Sequence, residues 1–243
     1  MKYVLIIGAK NELALELASL YAKNNYNVYL AGRSVNDLEE ESNNIEQKYK
    51  VKSVLCELDV TDFSSHEKFY ESLEIKPTGV IYLAGYYPDT ISSISKWSES
   101  LKTIEVNYLG CVSILNIVAN QFINDRRGFI IAISSVSGIR GRAKNYIYGS
   151  SKAGLIAYMS GLRNRLDKYN INVLTVIPGF LSSSKNQKKN YPRFLVTTSK
   201  KMAHNIFSAQ QNNKSVIYSS GLWRLIMFII KIIPEYILSL IHI

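Results

Sequence analysis

At 243 residues and 47% apolar composition, the chain can build one large α/β domain with a full core and needs no second one. Two cysteines in apolar stretches, Cys56 and Cys111, and three histidines without shared spacing, His66, His204 and His242, argue against a disulfide framework and against metal chemistry. The net charge of +10 draws polyanions in general, but no basic stripe interleaved with aromatics and no nucleic-acid motif accompanies it, so nucleic acid is not expected as a partner.

In chain order, residues 2–7 form a short apolar run, as in a strand buried on both faces of a parallel sheet. That run is too short for a signal peptide and stops at Gly8, so a cytoplasmic protein is expected. A turn, Gly8 to Glu12, leads into residues 13–23, where Leu13, Leu17, Leu20 and Tyr21 recur at helical spacing. A second strand at 27–31 completes a βαβ unit. The alternation continues with a helix over 35–49, a strand at 51–56, a helix over 63–73 and a strand at 79–83. A long helix is expected over 98–123, then a strand at 129–134, a helix over 148–168, and strands at 172–177 and 214–219. Repeated β–α alternation predicts a single-domain, Rossmann-like, doubly wound parallel sheet of about seven strands with helices on both faces. Residues 1–221 are read as that domain and 222–243 as an apolar tail.

The chemistry concentrates around Tyr148 and Lys152. Residues four apart on a helix share a face, so a phenol and an ammonium can point into one cleft. A phenol with a pKa of about 10 is a poor acid or base at neutral pH, and a nearby cation lowers that value. Ser135, at the end of a strand-like run, is placed to hold a substrate oxygen beside the phenol. Together these form an acid–base device for interconverting C=O and CH–OH. Ligands of such sheets bind beyond the carboxyl ends of the strands. Gly8, Arg33, Asp59, Ala84, Gly85, Ser135, Pro178 and Gly179 all fall there, as one cofactor-binding edge would require.

With these residues in place, the chain up to about Ser219 resembles the short-chain dehydrogenase/reductase family. The resemblance implies that Tyr148 is the catalytic acid/base and that Lys152 lowers its pKa and binds the nicotinamide ribose. It implies that Ser135 positions the carbonyl, with Ser134 the neighbouring alternative, and that Asn107 supports a proton-relay water. Asp59, followed by Val60, stands where the family contacts adenine. Ala84-Gly85 match the end of its N-A-G loop, Pro178-Gly179 lie under the nicotinamide, and Ser183 stands where a threonine often meets the carboxamide. The family's glycine turn, T-G-x-x-x-G-x-G, is here Ile7-Gly8-Ala9-Lys10-Asn11-Glu12-Leu13-Ala14. Gly8, Lys10, Asn11 and Leu13 are therefore its cofactor-binding candidates, while Glu12 and Leu83 depart from the pattern. A Glu12 carboxylate at this turn would face the pyrophosphate unless turned outward. The family's habit of pairing through its long helices implies a homodimer or homotetramer.

The stretch from Tyr26 to Asn36 contains no acidic residue to take a ribose 2′-OH, whereas Arg33, with Lys10 across the pocket, suits a 2′-phosphate. NADP(H) is therefore favoured over NAD(H). Residues 182–193, with Lys185, Lys188, Lys189 and Arg193, read either as a solvated loop or as a mobile lid meeting a phosphate-bearing substrate. Residues 222–243 are intensely apolar, broken at Pro234 and interrupted by Arg224, Lys231 and Glu235, with no charge-free stretch of the ~20 residues a membrane span needs. They are read as a helix pair lying in a membrane interface, with Trp223 and Tyr236 at headgroup level, rather than packed on the protein or a second subunit. Tail and turn also resemble reductases of polyprenyl-phosphate-linked keto-sugars such as decaprenylphosphoryl-2-keto-ribose. The expected function is thus carbonyl reduction, on a small-molecule or lipid-linked substrate at the inner membrane face. The rivals are a soluble reductase of small ketones or acyl thioesters, and a catalytically silent dinucleotide-binding regulator.

Overall fold

The computed structural model describes residues 1–182 and 191–240. Strand β1 (Lys2–Ile7) is buried from Tyr3 onward, its side chains alternating between two cores. Helix α1 (Glu12–Lys23) follows, started by Asn11, whose side chain accepts from the Leu13 amide at 2.9 Å. Then come β2 (Tyr26–Gly32), α2 (Glu39–Tyr49), β3 (Ser53–Glu57), α3 (His66–Ser72) and β4 (Gly79–Tyr82). The helix expected over 35–49 opens instead as a 3-10 turn, Val35–Leu38, because Ser34 enters in the left-handed region and the first turn is tightened. Likewise residues 63–73 divide into a 3-10 turn at Phe63–Ser65 and α3.

Helices α4 (Thr90–Ser95), α5 (Trp97–Ile104) and α6 (Gly110–Asp125) come next, the last two joined by a π turn, Glu105–Leu109. The long helix expected there is continuous in path but carries that extra residue per turn around Asn107. Strand β5 (Phe129–Ile133), helix α7 (Tyr146–Leu166) and strand β6 (Asn172–Ile177) follow. Two three-residue strands, β7 (Phe180–Ser182) and β8 (Val196–Thr198), pair with each other, and α8 (Ser199–Gln211), β9 (Val216–Tyr218), α9 (Gly221–Ile232) and α10 (Glu235–Leu240) end the chain. Helix α8 is absent from the sequence expectation, although Met202, Ala203, Ile206 and Ala209 bury a regular stripe.

The main sheet is parallel throughout, in the order β3-β2-β1-β4-β5-β6-β9. Chain direction across the sheet reverses between β1 and β4, and that switch point opens the crevice in which such folds bind ligands. One core packs α3, α6 and α7 on one face; the other packs α1, α2 and α8. A third, smaller cluster joins Val136, Ile177, Trp223 and Met227, so α9 is seated on the ends of β5 and β6.

Candidate active site

The end of β5 and the first two turns of α7 bring the chemistry together. Ser134, buried, spends its hydroxyl on the Lys152 main-chain oxygen at 2.9 Å. Ser135 is the serine left to face the cleft: its oxygen accepts from the Ser137 amide at 3.1 Å, and its hydroxyl is near enough to the Tyr148 phenol to lower the phenol's pKa. Alternation along a strand end decides between the two neighbours. Helix α7 starts at Tyr146, two residues before the expected start, so Tyr148 and Lys152 lie in regular turns, one above the other.

The expected electrostatics need one correction. Burial pushes the Tyr148 phenol up to about 12, a hydrogen bond from Ser135 pulls it back, and the Tyr87 phenol raises it further. Lys152 does not lower it, because its Nζ is turned to donate to the Ile133 carbonyl at 3.0 Å and lies 5.8 Å from the Tyr148 ring centre. Burial also pushes Lys152 down to about 8. Without a ligand the pair is thus a protonated phenol above an ammonium that keeps its proton at neutral pH and loses it through about pH 8.

Asn107 sits fully buried in the π turn and clamps the loop after β4. Its Oδ1 accepts from the Tyr86 amide at 3.0 Å and its Nδ2 donates to the Tyr86 carbonyl at 2.7 Å. A π turn rotates one residue out of helical register, which lets a helix side chain reach sideways into a site. Gly85 fronts the same space: a Cβ there would lie 3.4 Å from Asn107 Oδ1 and 3.9 Å from Lys152 Nζ.

Along the cofactor edge, Gly8 has φ +91°, and a Cβ would come within 2.5 Å of the Ala84 amide, so the turn after β1 and the loop after β4 touch through main chain. Leu83 donates its amide to Ile7 and is buried, which explains an apolar residue in that position. Leu13 is a core residue whose amide is occupied by Asn11. Glu12 is exposed and borders a groove of about 570 Å³ between α1 and α8, beside Lys200 and His204, so its carboxylate is turned outward from the turn. Lys10 is paired with Asp37. Arg33 is 62% exposed and 3.9 Å from Asp59. Burial pushes Asp59 upward, but hydrogen bonds from Thr61 and the Arg33 charge hold it below the ordinary carboxylate value. Val60 is buried with its carbonyl against Gly110, where a Cβ would meet it at 2.3 Å. Pro178 accepts from the Val136 amide at 3.0 Å, and Gly179 donates to Ser219 Oγ at 3.0 Å. Ser183 and the lysines 185, 188 and 189 lie outside the described residues.

Several participants went unread in the sequence. The Tyr87 ring meets that of Tyr148 edge-on at 4.7 Å; its place directly after Ala84-Gly85-Tyr86 was the available signal. Glu57 accepts from the Ser34 and Val35 amides at 2.8 and 3.2 Å and shapes the loop that carries Arg33, a role only the fold reveals. Trp223 corrects an expectation outright. Far from a headgroup position, it is 4% exposed, donates Nε1–H to the Leu195 carbonyl at 2.9 Å and packs on Gly179, where a Cβ would fall 2.1 Å from the indole. Tryptophan offers a large apolar surface and a single donor, and this wall of the cleft satisfies both.

Comparison with known proteins places this arrangement in context. A family model described as short chain dehydrogenase matches residues 2–193. An uncharacterized oxidoreductase of Mycobacterium tuberculosis is 28% identical over 237 residues, covering 96% of this chain and 94% of the relative. A 3-oxoacyl-[acyl-carrier-protein] reductase of Aquifex aeolicus is 29% identical over 188 residues, covering 75% of each. Among solved structures, a short-chain dehydrogenase from Sphingobium yanoikuyae in complex with NADPH superposes with a TM-score of 0.80 over 97% of both chains, at 18% identity.

Proposed function

The chain belongs to the short-chain dehydrogenase/reductase family, and from that premise we propose that it is an NADP(H)-dependent reductase converting a ketone to a secondary alcohol. The observation that carries this reading is the convergence of Ser135, Tyr148 and Lys152, with Ser135 lowering the phenol's pKa and Lys152 Nζ 5.8 Å from the Tyr148 ring centre one turn below. The residues present fit a nicotinamide dinucleotide. Gly8 lets the turn after β1 pack main chain to main chain on Ala84, Gly85 leaves the space before Asn107 and Lys152 without a side chain, and these residues with Pro178-Gly179 would hold its pyrophosphate, ribose and ring. When bound, the nicotinamide supplies the hydride. Ser135 holds the carbonyl oxygen, and Tyr148, protonated at every physiological pH, donates its proton as the alkoxide forms. Lys152, swung from Ile133, steadies the phenolate left behind, while Asn107 keeps the loop of Tyr86 and Gly85 fixed over the site.

Selection of NADP(H) is supported by Arg33, exposed and only loosely tied to Asp59, on a loop braced by Glu57. Arg33→Ala is expected to raise the KM for NADPH at least ~tenfold while changing that for NADH little, a difference of about 1.4 kcal/mol or more. For the substrate we favour a lipid-phosphate-linked keto-sugar, supported by the apolar tail that walls the cleft through Trp223. An acyl thioester or small soluble ketone is the second reading, supported by the acyl-carrier-protein reductase among the relatives. NADPH oxidation against all three substrate types discriminates between them. Tyr148→Phe is expected to abolish turnover with whichever reacts, leaving NADPH affinity within a few-fold; activity retained in that variant overturns the reductase assignment.

A further inference from the structure

The excess of positive charge is not spread evenly over the molecule. From residue 168 to the end the chain carries ten Lys or Arg and one acidic residue, Glu235, which is paired with Arg140. In this same part, α9 presents two apolar faces. Its inner stripe, with Trp223 and Met227, is buried. The opposite stripe is not: Leu225, Phe228, Ile229 and Ile232 are 57, 64, 47 and 64% exposed, and Tyr236 of α10 extends the surface at 69%. Arg224 and Lys231, two helical turns apart, run along one flank of that stripe. With Lys214 they line a groove of about 810 Å³ between α9 and the edge strand β9. Among the described residues none of these three cations has an acidic partner.

We propose that this face docks on an anionic phospholipid bilayer. The exposed apolar stripe enters the acyl boundary, and Arg224, Lys231 and Lys214 meet the lipid phosphates. At 12 and 6 residues, α9 and α10 are too short to cross, so they lie in the surface. Charge decides against a second copy of the chain as the occupant. A two-fold contact centred on this face sets each patch against itself and brings cations onto cations, whereas an anionic surface neutralises them. Because Trp223 and Met227 fasten the inner stripe, docking orders nothing new and leaves the helix in place.

The test is sedimentation of the full-length protein with phosphatidylcholine vesicles with and without phosphatidylglycerol. Binding to the anionic vesicles alone is expected, weakening as salt rises. It is expected to fall at least ~tenfold in Phe228→Ser/Ile232→Ser and, separately, in Arg224→Gln/Lys231→Gln. The second pair leaves the apolar surface intact and guards against misfolding of the first; unchanged melting and NADPH affinity check both. Tyr148→Phe should bind vesicles like the parent, so failure of the catalytic reading is told apart from failure of this one. No binding to anionic vesicles, binding indifferent to both double variants, or a solution dimer dispersed by Phe228→Ser/Ile232→Ser overturns the proposal.

Discussion

Ser134 and Ser135 differ by one position and have opposite fates, one tied to the Lys152 carbonyl and the other turned toward the Tyr148 phenol, whose pKa it lowers. Lys152 shows what such a site costs the fold. Its ordinary value of 10.5 is pushed down to about 8, so between about 8 and 10.5 the unfolded chain holds a proton that the folded one does not. Stability therefore rises with pH across that window, and the penalty is complete below it, on the order of 3 kcal/mol. Lys152→Met is expected to be inactive yet to melt above the parent at pH 7, with the gap closing toward pH 10.5; melts across pH check this. In the parent, the reduction rate should fall as pH passes through about 8, where Lys152 loses the charge that steadies a tyrosinate. Asn107→Ala should remove both side-chain bonds to the part-buried Tyr86 amide and carbonyl, a loss of about 1–3 kcal/mol readable by denaturant unfolding.

Among the elements, α9 changes meaning most between sequence and structure. Read along the chain it is an apolar appendage; in the fold its inner face closes one wall of the cleft, joining Gly179 to the carbonyl of Leu195. Gly179→Ala sets a methyl against the rigid indole at 2.1 Å, so α9 must shift or the Pro178-Gly179 turn must open. A loss of about 1–3 kcal/mol is expected, with weakened NADPH affinity measured by fluorescence titration. The π turn between α5 and α6 is another element-scale feature. Asn107 is legible as a residue, but the widened turn that aims it is not, since no composition signal marks one extra residue per turn.

For the molecule as a whole, the order β3-β2-β1-β4-β5-β6-β9 brings the candidate residues Asn107, Ser135, Tyr148 and Lys152 and the cofactor edge to the same side of the sheet although they are far apart in the chain. Removing residues 222–243 strips Trp223 and Met227 from the cluster with Val136 and Ile177, so a stability loss of ~3 kcal/mol or more is expected. A fall in melting temperature of roughly 6–12 °C follows for a domain of this size, measurable by calorimetry. The sequence by itself determined the alternating elements and the parallel sheet, and it nominated Tyr148, Lys152 and Ser135, with the role of Asn107 implied by the family resemblance. The elements and the first three residues depend on periodicity and on spacing within one helix or one strand end, which the chain carries locally. Only the tertiary structure decided that Lys152 turns to Ile133, that Glu12 faces outward, that Glu57 braces the Arg33 loop and that Trp223 points inward. Each of these depends on which distant segment lies opposite, and burial against that segment sets both the direction of a side chain and its charge.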